Sequence, residues 1–171
     1  MKRLLLLRHA KSSWGDPGTD DHERPLNRRG EKSADRMGAW LRAQRIAPDL
    51  VLCSTSRRTR QTLDALMPFH GETPPVELLP ALYLAGAPGI LERIRAVADS
   101  VKCLMVIGHN PGFEQLAQSL AAEGEAEALA KLTEKYPTGA LADLRFTVTR
   151  WKAVGPGQGG LAAFIRPRDL D

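Results

Sequence analysis

The segment Cys103-Leu-Met-Val-Ile107 constrains this chain more than any other. It is a continuous apolar run bounded by polar residues, so it has no alternation that could put one face in water. A strand here must be buried on both sides. Arg3-Leu-Leu-Leu-Leu7 and Leu50-Val-Leu-Cys53 read the same way, and Val76–Leu79 is a weaker strand bounded by prolines. Helical patterns lie between them. Asn27 is placed to cap a helix with Ala34, Met37, Gly38 and Leu41 on one face, and Ser56 to cap one carrying Thr59, Leu63, Leu66 and Met67. Ile90, Leu91, Ile94, Val97 and Ala98 mark a third helix, and Phe113, Leu116, Ala117 and Leu120 a fourth. Strands alternating with helices predict an α/β fold: a three-layer α-β-α sandwich around a mostly parallel sheet.

The C-terminal third reads differently. Ala140–Val148 and Leu161–Ile165 are expected to form a hairpin about the Gly/Pro-rich turn Gly155-Pro-Gly-Gln-Gly-Gly160, whose glycines match no phosphate-loop fingerprint. With 171 residues, 43% apolar and 26% charged, the chain is expected to be one domain, 1–171. The run Leu4–Leu7 is too short for a signal or membrane segment, and a soluble, cytoplasmic protein is expected. Cys53 and Cys103, each inside an apolar strand, are read as buried reduced thiols. The net charge of +4 comes without a basic stripe interleaved with aromatics, so a nucleic-acid role is not expected; the excess suits a pocket for an anion.

Three polar segments directly follow strands: Arg8-His9-Ala10-Lys11-Ser12, Ser54-Thr55-Ser56-Arg57-Arg58-Thr59-Arg60-Gln61-Thr62, and Gly108-His109-Asn110-Pro111-Gly112. In a parallel sheet the carboxyl ends of the strands share one edge, where ligands bind. Two imidazoles, at least two guanidiniums and a helix start should therefore meet in a cationic pocket without an obvious acidic partner. Such a set suits phosphoryl transfer, in which arginine forks clamp the oxygens and an imidazole attacks phosphorus. His22 and His70 lack that context and are read as surface residues. No carboxylate stands at ligand spacing beside His9 or His109, and adjacent arginines would repel a cation, so no metal or other cofactor is expected.

Leu-Arg8-His9 after the first strand, Arg58-x-x-Gln61-Thr62 opening a helix, and Gly108-His109-Asn-Pro-Gly together resemble the histidine phosphatase superfamily, also called phosphoglycerate-mutase-like. More narrowly the chain resembles its SixA branch of phosphohistidine phosphatases. The shared landmarks run through the chain in order: Arg8-His-Ala-Lys-Ser-x-Trp14, Asp21-His-Glu-Arg24-Pro25-Leu26, Pro48-Asp49, Leu82-Tyr83, the Gly108–Gly112 motif and Pro137-Thr-Gly-Ala140. The resemblance implies that His9 accepts the phosphoryl group. Arg8, Arg58 and His109 would complete the phosphate pocket, with Ser12 and Asn110 as further substrate contacts. The Asn110-Pro111-Gly112 turn would open a helix whose N–H groups face the anion.

Ala10 stands where the wider superfamily has glycine, as in the SixA branch. The stretch Leu79–Gly86, where mutase-like relatives carry a proton-donating glutamate, has no carboxylate, and Glu77 lies on the strand side. Without that acid an alkoxide leaves poorly, whereas imidazole leaves phosphorus readily. The expected substrate is therefore phosphohistidine on a protein such as a phosphotransfer domain, with inorganic phosphate as product. The acidic residues Asp16, Asp20, Asp21 and Glu23 form a loop that could face such a partner. The alternatives are a small-metabolite phosphomonoesterase of the same superfamily and a phosphate-recognition module without turnover.

Overall fold

The computed structural model describes residues 1–14 and 16–171. The strands β1 (Lys2–Arg8), β2 (Leu50–Ser54), β3 (Val76–Leu79), β4 (Cys103–Gly108), β5 (Ala121–Gly124), β6 (Leu141–Phe146) and β7 (Gly159–Ile165) join one seven-stranded sheet in the order β3-β2-β4-β1-β6-β7-β5. The helices are α1 (Arg28–Ala43), α2 (Arg57–Leu66), α3 (Ala87–Arg95), α4 (Gly112–Leu120) and α5 (Ala126–Glu134). Among the described residues β6 alone runs against the other strands, because it pairs antiparallel with both β1 and β7. The period of two along β1 divides the core. Leu5 and Leu7, with Met105, Ile107, Val51 and Cys53, pack under Met37, Leu41, Leu63 and Leu66 of α1 and α2. Leu4 and Leu6, with Leu104, Val106 and Leu52, pack under Ile90, Ile94, Phe113, Leu116 and Leu132 of α3, α4 and α5. The three-layer reading therefore holds, and the C-terminal hairpin extends the main sheet.

Asn27 and Ser56 cap α1 and α2 as expected, accepting from the backbone N–H of Gly30 and Thr59. Several details differ from the sequence reading, and among them Met67 lies beyond the end of α2 and Val148 beyond the end of β6. The strand β5 and helix α5 were not anticipated, because Ala121–Gly124 has no apolar run and α5 fully buries just Leu132. Helix α3 ends at Arg95, so Val97 and Ala98 lie beyond it. Gly159 and Gly160 belong to β7 rather than to the turn; a Cβ at Gly159 would stand 2.9 Å from the Leu120 carbonyl oxygen, so the strand needs glycine there. Both cysteines are free, but Cys103, at the start of β4, is only half-buried. No helix among the described residues is long and apolar enough to cross a membrane.

Candidate active site

The carboxyl ends of β1, β2 and β4 open on one edge, and the antiparallel run of β6 delivers the segment before it to the same place. The backbone N–H of Gly139 bonds the carbonyls of both Arg8 and His9, and Arg8 N–H bonds the Ala140 carbonyl. Gly139 has φ +79°, and a Cβ on it would stand 2.9 Å from the Pro167 ring, which fits glycine alone. The loop after β1 is braced from the other side. Ser12 bridges Leu26, Ser13 N–H bonds the Pro25 carbonyl at 2.9 Å and Asn27 N–H bonds the Lys11 carbonyl at 3.0 Å. The Arg-Pro-Leu stretch thus runs along the Arg8–Trp14 loop as its backing. Thr62 ties the loop to α2: its hydroxyl donates to the Arg58 carbonyl (2.7 Å) and accepts from Ala10 N–H (3.0 Å). Gln61 accepts from Leu26 N–H (2.8 Å), so the Gln-Thr pair is a structural tether rather than a ligand contact.

All six residues expected from the sequence (Arg8, His9, Ser12, Arg58, His109 and Asn110) line one cleft of about 560 Å³. The rings of His9 and His109 are 5.3 Å apart. His9 Nδ1 lies 2.7 Å from the Ala10 carbonyl oxygen. A carbonyl can only accept, so the proton sits on Nδ1 and the lone pair of the neutral ring is on Nε2. Burial pushes His9 down to about 3, with the guanidiniums of Arg58, Arg8 and Arg24 adding to the effect. Burial, then His9 and Arg58, likewise push His109 down to about 3. His109 Nε2 is paired with the Ser54 hydroxyl at 2.8 Å. Among the described residues, the buried side-chain nitrogens or oxygens without a hydrogen-bond partner are Arg8 Nε, Arg58 Nε and His109 Nδ1. Buried polar atoms are nearly always bonded, so three such nitrogens gathered at one cleft mark a site built for an oxyanion.

The structure corrects the reading of a pocket without an acidic partner. Asp21 lines the cleft: its carboxylate accepts from Arg58 Nη2 (3.1 Å), Arg24 Nε (3.0 Å) and the Tyr83 hydroxyl, and its carbonyl accepts from Arg58 Nη1 (2.7 Å). The Tyr83 hydrogen bond, with Arg24 and Arg58, holds Asp21 at about 2. Asp21 thereby engages both terminal nitrogens of Arg58 and leaves Nε free. Buried Arg24 extends this bracing, donating to the Ser12 hydroxyl and the Ser13 carbonyl, both at 2.9 Å. His22 is not a plain surface residue either. It is half-buried, its Nε2 is 2.8 Å from the Thr55 hydroxyl, and its ring meets Tyr83 edge-on at 4.8 Å. His70 is exposed, and of the three arginines opening α2 only Arg58 lines the cleft.

Asn110 borders the cleft, yet its amide serves the chain itself. Nδ2 donates to the Tyr136 carbonyl (3.0 Å), which also holds Arg8 Nη1 (2.9 Å), and Oδ1 accepts from Glu114 N–H (3.1 Å). Phe113 N–H bonds the His109 carbonyl, so the first turn of α4 does not offer an array of free N–H groups to an anion as expected. Ser12 accepts from Arg24 and keeps its own proton to donate. Asp21, Arg24 and Tyr83 are the site residues missed by chemical reasoning from the sequence. The signal for them was there, in the Asp21–Leu26 and Leu82-Tyr83 landmarks.

Comparison with known proteins agrees with this geometry. The sequence profile of the histidine phosphatase superfamily (branch 1) matches residues 4–83. An uncharacterised protein of Mycobacterium tuberculosis is 42% identical over 164 residues, which is 95% of this chain and 100% of the relative. The structure of a candidate phosphohistidine phosphatase SixA from Nakamurella multipartitia superposes with TM-score 0.84 at 30% identity, covering 97% of this chain and 96% of the other. A candidate SixA structure from Agrobacterium tumefaciens gives 0.81 at 32% identity, covering 97% and 98%. With its fold, its convergent histidines and arginines and these relatives in agreement, the chain belongs to the histidine phosphatase superfamily and within it to the SixA type.

Proposed function

We propose that this phosphatase hydrolyses phosphohistidine on a protein through a phosphohistidine intermediate on His9. The observation that carries the reading is the state of Asp21. Among the described residues lining the cleft it is the one carboxylate, and at about 2, with three donors on it, it cannot deliver a proton near neutral pH. Glu77 lies on an exposed part of β3 and does not line the cleft. A site without a carboxylic general acid suits a leaving group that needs none. In the proposed reaction the Nε2 lone pair of His9 forms a bond to phosphorus. The P–N bond of the substrate breaks, and its electron pair returns to an imidazole that leaves neutral, because its other nitrogen is already protonated. His9 keeps its Nδ1 proton on Ala10 throughout, so water attack in the second step releases inorganic phosphate and restores the same neutral ring. Donor and acceptor are both imidazoles, which makes the first transfer nearly isoenergetic.

Arg8, Arg58 and His109 surround the phosphoryl oxygens with donors already aimed, so little reorganisation accompanies the transition state. A bound dianion would also favour the protonated form of His109, opposing the effect of burial. The test is phosphate release, in EDTA, from a phosphohistidine-bearing phosphotransfer domain and from a sugar phosphate, with His9→Ala alongside. Release from the protein substrate, absent in His9→Ala, is the expected result. Preference for the sugar phosphate would assign the chain to metabolite hydrolysis. Binding of the phosphoprotein without turnover would make it a recognition module.

A further inference from the structure

A second cavity, a groove of about 320 Å³, continues from the cleft and shares Lys11, Lys135, Pro137 and Thr138 with it. It lies where α1, α5 and the C-terminal turn Pro167–Leu170 meet, and its cations are Lys11, Arg29, Lys131, Lys135, Arg166 and Arg168, against the single carboxylate Glu134. Arg166 is held by Asp169 at 2.8 Å, and Lys131 reaches Glu127 at 3.0 Å. Among the described residues Lys11, Arg29, Lys135 and Arg168 have no carboxylate within 4.0 Å. So many unpaired like charges repel one another, and Arg29 and Arg168, outside the cleft, have no part in the proposed chemistry at His9. The cleft also carries large exposed apolar side chains on its wall: Trp14 is 84% exposed and Leu84 55%. Leu84 has φ +53°, in the left-handed region that favours glycine. An exposed leucine in that conformation beside an active site contributes little to the core of its own chain.

We infer that the groove and this apolar wall form a docking surface for an acidic protein, one that presents its phosphohistidine beside apolar residues and inserts Asp and Glu side chains between Arg29 and Arg168. The inference rests on the phosphoprotein reading above and names the partner surface that reading needs. Arg29 and Arg168 line the groove and not the cleft that holds His9, so a sugar phosphate seated in the cleft would leave them unused. A nucleic acid would match the cations but would leave Leu84 without a counterpart. Charge complementarity of this kind acts chiefly on encounter rate and falls with salt.

The test uses Arg29→Glu/Arg168→Glu, two exposed positions outside the catalytic cleft. With free phosphohistidine as substrate the double variant should match the parent within about twofold, whereas kcat/KM on an acidic phosphohistidine-bearing phosphotransfer domain should fall about tenfold at low salt, mostly through KM, and converge with the parent at high salt. Equal losses on both substrates, or no loss on either, would overturn the docking surface while leaving the phosphatase reading intact. If the parent hydrolyses neither phosphohistidine substrate, that reading has failed by itself. The docking surface is then judged by binding of the same acidic domain to His9→Ala with and without the charge reversals. Unchanged affinity overturns it, as does a DNA duplex competing as well as the domain.

Discussion

The Nδ1 proton of His9 is the smallest feature on which the proposed reaction depends. The Ala10 carbonyl holds it, and burial keeps the ring neutral down to about 3, so the attacking lone pair is available across the whole range in which the protein would work. Nuclear magnetic resonance titration of the ring nitrogens should find His9 and His109 neutral at pH 5, where a free histidine is mostly charged. A transition near the ordinary value of about 6.5 for either ring would contradict the burial argument. Asp21 offers a second test at this scale. It positions Arg58 rather than touching phosphorus, so Asp21→Asn should lower kcat/KM by about tenfold, weaken inorganic phosphate binding and leave the fold intact. Tyr83→Phe removes one donor of the same carboxylate and should cost less.

At the scale of elements, the catalytic loop owes its shape to what stands behind it. The first turn of α1 comes so close to the loop that a Cβ on Gly30 would lie 2.0 Å from the Lys11 carbonyl oxygen, a backbone atom with no freedom to withdraw. Gly30→Ala should therefore destabilise the protein by about 1–3 kcal/mol and displace the loop, which thermal unfolding and aryl-phosphate turnover would both register. Thr62 acts from α2. In Thr62→Val the buried Ala10 N–H loses its acceptor, at a cost of about 1–3 kcal/mol. If Thr62→Val kept full stability and activity, α2 would not be bracing the loop as described.

For the whole molecule, the buried imidazoles make stability depend on pH. Between about 3 and 6.5 the unfolded chain takes up protons at His9 and His109 that the folded chain refuses. Their contribution is complete above the unfolded value and is lost as pH falls, at up to about 1.4 kcal/mol per pH unit for each ring. Asp21 and Asp169, both held at about 2, extend the loss below their ordinary value of 3.8. Denaturant unfolding from pH 7 to pH 4 should show this slope, and His109→Gln should reduce it. Inorganic phosphate, binding the folded state alone, should raise Tm at neutral pH in the parent and not in Arg58→Ala.

What the sequence determined by itself was local and periodic. Apolar runs such as Leu4–Leu7 and Cys103–Ile107 declare strands buried on both faces, and Asn27 and Ser56 declare helix starts, because burial and capping depend on neighbours a few residues away. The meeting of His9 and His109 with arginines followed from one topological rule about the carboxyl edge of a parallel sheet, and the choice of Arg58 among the arginines of α2 from the family resemblance. The tertiary structure decided the rest. Helix α5, with a single fully buried side chain, and β5, with no apolar run, exist because the sheet and its helices accept them, not because their own periodicity demands it. The role of Asp21 depends on Arg58 and Tyr83, 37 and 62 residues further on, and a carboxylate becomes a fixed counter-ion rather than an acid only when such distant donors converge on it. Which protons stay and which move is set by those non-local contacts, and no local pattern in the chain encodes them.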